Sequence, residues 1–227
     1  LLQGGKGRGL TVSTFHNLGL NIIRSEYKAA GYRTGFSIID QDDAKNILKD
    51  IMMRDHDQDD DALDMVQSAI SNLKNDMLEP EQAIAKAENP QEMMIAQCYS
   101  VYQRTLKAYN AVDFDDLILL PVVLLQRDPE ALARWRRKIH YMLVDEYQDT
   151  NVSQYLLVKL LMAERATFTV VGDDDQSIYG WRGAKVENIL FTSSAADAAT
   201  SMGVQSLWSW RSFGMMNSSN ANICDSG

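Results

Sequence analysis

The sequence predicts an α/β fold in which a small parallel sheet is interrupted by an all-helical insertion. Two apolar runs of strand length, YMLV at Tyr141–Val144 and TFTVV at Thr167–Val171, flank a helically patterned stretch, Ser153–Met162. Strand, helix and strand in that order form a parallel crossover. From Asp40 to about Ala111 the pattern is helical throughout. Both apolar runs end in acids, at Asp145-Glu146 and at Gly172-Asp173, where open α/β sheets present their ligand-binding groups.

Along the chain, Leu10–Ser13 (LTVS) is β-prone and reads as a first strand. It is followed by TFHNLGLNIIRSEYKAAG, in which Phe15, Leu18 and Ile22 repeat at helical spacing and Gly31 ends the run. Asp40 can cap a helix reaching Met53, Ala62–Leu73 forms another, and Asn89-Pro90 opens a long one through Tyr109. Asp113–Gln126 and Pro129–Lys138 read as two more helices, the second closing on RWRRK, where positive charge suits a helix C-terminus. After about Ile189 the chain becomes rich in Ser, Ala, Met and Asn, without periodicity. Four regions follow: 1–36 in the α/β domain, 37–112 the helical insertion, 113–189 the return to the α/β domain, and 190–227 a divergent tail.

Composition is that of an ordinary globular chain, 45% hydrophobic and 23% charged over 227 residues. The longest apolar run, Leu117–Leu125, is too short to span a bilayer and contains Pro121, so no membrane role is expected. The opening LLQGGKGRG lacks a signal-peptide pattern and the chain starts without Met, which reads as a fragment. Cys98 and Cys224 lie far apart and only three His are present, so neither a disulfide framework nor a zinc site is suggested and a reducing cytoplasm fits best. A net charge of -9 weighs against a generic basic nucleic-acid coat, although a local basic groove can exist within such a domain.

An acid directly after a buried strand suits a Walker B element, because a carboxylate there can orient a magnesium ion beside a triphosphate. A second acid beside it can accept a proton from attacking water. Asp145 and Glu146 have that arrangement. An isolated pair of this kind can equally well cap a strand, and the longer runs around it decide the matter. LVDEYQDTN at Leu143–Asn151 and VVGDDDQSIYGWRGA at Val170–Ala184 resemble motifs II and III of the UvrD/Rep-type superfamily 1 DNA helicases. SQYLLVKLL between them resembles the Rep branch, STFHNLGL at Ser13–Leu20 resembles the family's TFH motif, and VDFDDLILLP at Val112–Pro121 resembles its return from the helical 1B insertion into domain 1A. The resemblance covers roughly residues 9–189.

The resemblance implies a partial P-loop NTPase (RecA-like) domain 1A with a parallel sheet and an inserted all-helical 1B subdomain. It implies ATP and Mg2+ as cofactors, single-stranded DNA and single/double-strand junctions as partners together with replication or repair proteins, and 3′ to 5′ translocation with duplex unwinding. Residue by residue, Asp145 would hold the magnesium ion through water and Glu146 would activate water on the γ-phosphate. Asp173 would lie at the nucleotide site, and Gln176 would sense the γ-phosphate. Arg211, in QSLWSWRSFG, stands near the place of the family's QNYRS arginine finger. Tyr179, Trp181 and Arg182 would line the single-strand path, with Trp181 stacking on a base. Thr14, Phe15 and His16 would meet DNA phosphate where a helix begins. Outside the resemblance, Gln176 would be a turn residue, Tyr179 and Trp181 packing groups, Thr14 a cap and Phe15 core.

No G-x-x-x-x-G-K-[ST] run occurs in the 227 residues, and GGKGRG at Gly4–Gly9 lacks its ending. The chain alone is therefore expected to be inactive as a motor. The alternative is a non-catalytic DNA-binding or partner-docking module on a helicase scaffold. Asp55, Asp57, Asp59 and Asp61 mimic a calcium loop, but position six is Asp60 and position twelve is Val66, so a solvated acidic loop is the better reading.

Overall fold

The computed structural model describes residues 9–52, 60–162 and 167–172, which fall into two compact units. The first comprises the described residues up to Ile139 together with 151–162, and the second comprises His140–Thr150 with 167–172.

The first unit opens with helix α1 (Phe15–Ser25), capped by Thr14, whose Oγ1 accepts from the Asn17 amide at 3.2 Å. The strand expected at Leu10–Ser13 does not form. Leu10 and Val12 are 60% and 86% exposed, and among the described residues no strand pairs with this segment. β-Propensity records fit to a sheet surface, and without a neighbour the segment has no ladder to join.

Four helices follow: α2 (Gln41–Met52), α3 (Asp60–Asn75), α4 (Pro80–Lys86) and α5 (Pro90–Ala108). The expected caps are present, with Asp40 Oδ1 accepting from Asp43 N at 2.8 Å and Asn89 Oδ1 from Glu92 N at 2.9 Å. Leu48, Leu63, Val66, Ile70, Tyr99, Tyr102 and Leu106 form the core these helices share. Helix α4 is not among the expected helices, because its seven residues are too few to show a period. Its start signal was present in Glu79-Pro80, with Gln82 Oε1 accepting from Glu79 N at 3.0 Å. The strands β1 (Ser37–Ile38) and β2 (Ala111–Val112), likewise not expected, form a parallel pair that flanks the four helices in the chain. Two-residue strands carry no alternation to read. Asn110, at φ 53°, precedes β2 and accepts from Arg33 N at 2.8 Å through its side chain.

Helices α6 (Asp116–Arg127), α7 (Pro129–Lys138) and α8 (Val152–Leu161) complete the unit. The start of α6 falls three residues later than its expected position because Asp113 serves as a turn, its Oδ1 accepting from Asp116 N at 2.9 Å. Arg134 grips Glu26 with two hydrogen bonds, at 2.8 and 3.2 Å, fastening α7 to the end of α1. Arg136 Nε donates to the Leu160 carbonyl at 2.7 Å, fastening α7 to α8.

Pro121 within α6 has no N–H to donate to the Leu117 carbonyl one turn earlier. That carbonyl faces Gly19 of α1 so closely that a Cβ on Gly19 would lie 1.7 Å from Leu117 O. The two helices therefore approach at a position only glycine fits. Gly19→Ala is expected to force them apart and to destabilise the unit by about 2 kcal/mol or more. Urea unfolding measures this, and an unchanged midpoint would contradict the packing.

In the second unit, β3 (Tyr141–Val144) and β4 (Thr167–Val170) pair in parallel, with Tyr141 opposite Thr167 and Val144 opposite Val170. Both strands were expected, and the chain joining them contains α8. Val171 extends the pairing, its N–H donating to Val144 O at 2.8 Å. Among the described residues no helix is long and apolar enough to cross a membrane.

Candidate functional site

In the second unit β3 stops at Val144, and the next two residues are the paired acids. Glu146 sits at φ 52° and ψ 43°, a left-handed conformation that costs a non-glycine residue about 1 kcal/mol and clusters at functional sites. This reversal ends the strand and starts a 3-10 turn, Tyr147–Asp149. Asp145 and Glu146 both remain exposed instead of being sealed in core.

Glu146 is held from behind. Gln148 is buried, 1% exposed, and its Nε2 donates to Glu146 Oε2 at 2.7 Å. The Tyr147 amide donates to Val171 O at 3.0 Å, tying the turn to the end of β4. Gly172 makes room for this arrangement, since a Cβ there would lie 2.6 Å from Gln148 Oε1. The Tyr147 ring meets Phe168 edge-on at 6.2 Å. Asp149 has a buried Oδ1 without a hydrogen-bond partner, and its carboxyl is raised above the ordinary value by desolvation and then by the Glu146 charge. Three carboxylates thus share one turn, with the first two open to solvent.

In the first unit the Thr14–His16 run forms the N-terminus of α1, as the sequence suggested. Thr14 is exposed and caps the helix, while Phe15 and His16 are half-buried. The first turn holds no acidic side chain, so its free backbone amides keep their preference for an anion. The His16 ring stacks on Phe114, with centroids 4.0 Å apart and planes inclined by 27°. Burial lowers the His16 pKa below its ordinary value, which favours the neutral ring, a form that can still donate one hydrogen bond. Phe114, 56% exposed, lay inside VDFDDLILLP with no role of its own assigned from sequence. Gln148 was likewise unassigned within LVDEYQDTN. The lone aromatic between acids was a usable signal for Phe114, whereas the burial of Gln148 had none.

Asp173, Gln176, Tyr179, Trp181, Arg182 and Arg211 lie outside the described residues, as does most of the aspartate-rich run near Asp55. Among the described residues no group of three His, Cys, Asp or Glu side chains is arranged to hold a metal.

A family model described as the UvrD/REP helicase N-terminal domain matches residues 2–197. The chain is 53% identical over 188 residues to the ATP-dependent DNA helicase Rep of Salmonella typhimurium strain LT2, covering 83% of this chain and 28% of that protein. The same figures hold for ATP-dependent DNA helicase Rep of Escherichia coli K12. Identity to ATP-dependent DNA helicase PcrA of Staphylococcus aureus strain Mu50 is 44% over 190 residues, 83% of this chain and 26% of the relative. The chain thus spans little more than a quarter of the length of these relatives. With a family match running from before α1 to beyond β4, and with the acidic turn and the capped helix start both inside it, the chain belongs to the UvrD/REP helicase family, through its N-terminal domain.

Proposed function

We propose that this chain is the part of an ATP-dependent DNA helicase that activates water for ATP hydrolysis and contributes to the single-stranded DNA path. The observation that carries this reading is the pair of exposed carboxylates at the end of β3, the second fixed in a left-handed turn by a buried glutamine. Asp145 would hold Mg2+ through water. One or two carboxylates with waters and substrate phosphates are a usual set for that ion, so this pair fits it without an all-protein cage. Bound there with ATP, the ion would polarise the γ-phosphate. Glu146 takes the proton from the attacking water. Thr14, Phe15 and His16 receive a DNA phosphate at the start of α1, through backbone amides and a neutral imidazole.

The remaining roles follow the family resemblance. Gln176 and Asp173 lie at the nucleotide site with Arg211 as a remnant of the arginine-finger run, and Tyr179, Trp181 and Arg182 line the strand path. The chain belongs to a RecA-like domain 1A, interrupted by a 1B subdomain at residues 37–112. The whole protein moves 3′ to 5′ in the cytoplasm and opens duplex at single/double-strand junctions, alongside replication or repair proteins.

The 227 residues contain no phosphate-wrapping G-x-x-x-x-G-K-[ST] run. Purified alone, the chain is expected to hydrolyse ATP at no more than background rate. Robust magnesium-dependent turnover that Glu146→Gln abolishes would overturn that division of labour. A protein of the relatives' length carrying these residues is expected to hydrolyse ATP faster when oligo(dT) is added, and the absence of stimulation would sink the reading.

A further inference from the structure

Lys74 of α3 is fully buried, with its ammonium 2.6 Å from Asp113 Oδ2 and 2.8 Å from Asp116 Oδ1. A buried ion group of this kind stabilises little beyond what an apolar side chain would, because desolvation offsets the attraction. What it fixes is more informative. Asp113 also accepts from the Tyr102 hydroxyl at 3.0 Å, and Asp116 from Gln103 Nε2 at 3.1 Å. The aspartates bond reciprocally to each other's backbone, Asp116 N to Asp113 Oδ1 at 2.9 Å and Asp113 N to Asp116 Oδ2 at 3.3 Å. Both ends of the turn Asp113–Asp116 are thereby pinned from α3 and α5.

Phe114 lies between the pinned ends and projects outward onto the His16 ring at 4.0 Å. Among the described residues no hydrogen bond holds either ring nitrogen of His16, so the stack on Phe114 sets the plane of the imidazole. A neutral imidazole donates through one N–H in that plane, and a rotated ring loses the bond because hydrogen bonding weakens steeply with angle.

We propose that Lys74 is a positioning residue for DNA binding: through Asp113 and Asp116 it fixes the turn that seats Phe114 on His16, and so aims the imidazole. The DNA part rests on the reading that His16 meets a phosphate. The arrangement couples the helices of residues 37–112 to the helix start at Thr14–His16, so displacement of α3 reaches the His16 ring without direct contact.

NMR of the 227-residue chain reads the geometry, because an aromatic ring stacked this closely shifts the carbon-bound protons of His16 upfield. Phe114→Leu supplies the unstacked reference. Lys74→Met and the milder Asp116→Asn are expected to move the His16 signals toward that reference and to weaken oligo(dT) binding several-fold, as measured by fluorescence anisotropy. General destabilisation of a chain that still folds would leave those signals in place. Where Lys74→Met fails to fold, Asp116→Asn decides. His16 signals that superpose on those of the unaltered chain in the folded variants overturn the proposal. Signals that move while binding is unchanged, in these variants and in His16→Ala alike, uphold the positioning and overturn the DNA reading.

Discussion

Glu146→Gln, placed in a protein of the relatives' length, lowers DNA-stimulated ATP turnover by about 10²–10⁴-fold, the usual worth of a positioned general base. The substitution preserves shape and an oxygen able to accept from Gln148 Nε2, now at 2.7 Å. What disappears is basicity, so kcat falls while KM for ATP changes little. Steady-state hydrolysis with saturating oligo(dT) provides the measurement. Turnover near that of the unaltered protein would remove Glu146 from the chemistry and return Asp145-Glu146 to a strand-capping role.

Lys74→Met destabilises the first unit by about 3–5 kcal/mol, because it leaves two buried carboxylates without their cation. Both partners lie within 2.8 Å, and Asp116 is fully buried. Neutralising the partners as well, in Lys74→Met with Asp113→Asn and Asp116→Asn, is expected to restore much of the loss. Urea unfolding separates the two cases, and a single variant no weaker than the triple would show that the charges are not coupled.

The same cluster gives stability a pH dependence with a defined sign. Burial, then repulsion from Asp113, pushes the Asp116 carboxyl up to about 6 against the attraction of Lys74. A raised carboxyl binds its proton more tightly when folded, so its contribution is present at low pH and declines as pH rises from about 4 to 6. Asp116→Asn should abolish this decline. Lys74 behaves oppositely in origin: burial lowers its pKa, but Asp113 and Asp116 overcome that and raise it. Its contribution holds below the ordinary lysine value and is lost above it. Urea midpoints across pH 4–7 that are parallel in the unaltered chain and Asp116→Asn would contradict the Asp116 assignment.

Legibility in the sequence tracked the length of each signal. Long periodic elements such as α5 and α7, with Pro90 and Pro129 opening them, were readable because start signals and apolar spacing agreed. β3 and β4 were readable because each is an apolar run ending in acid. Leu10–Ser13 misled because a β-prone tetrapeptide says nothing about whether a neighbouring strand exists. The brief elements β1, β2 and α4 are shorter than the periods that would reveal them.

Local chemistry written along the chain was enough to determine the family, the acids at the end of β3 and the capped helix start at Thr14. Those features depend on neighbours within a few residues, and a single strand of text contains them. Only the tertiary structure decided that Gln148 grips Glu146, that Gly19 admits the Leu117 carbonyl, and that Lys74 joins Asp113 and Asp116 across some forty positions of sequence. Such partners are chosen by close packing and by the cost of burying a polar group unpaired, and neither leaves a pattern in the order of residues.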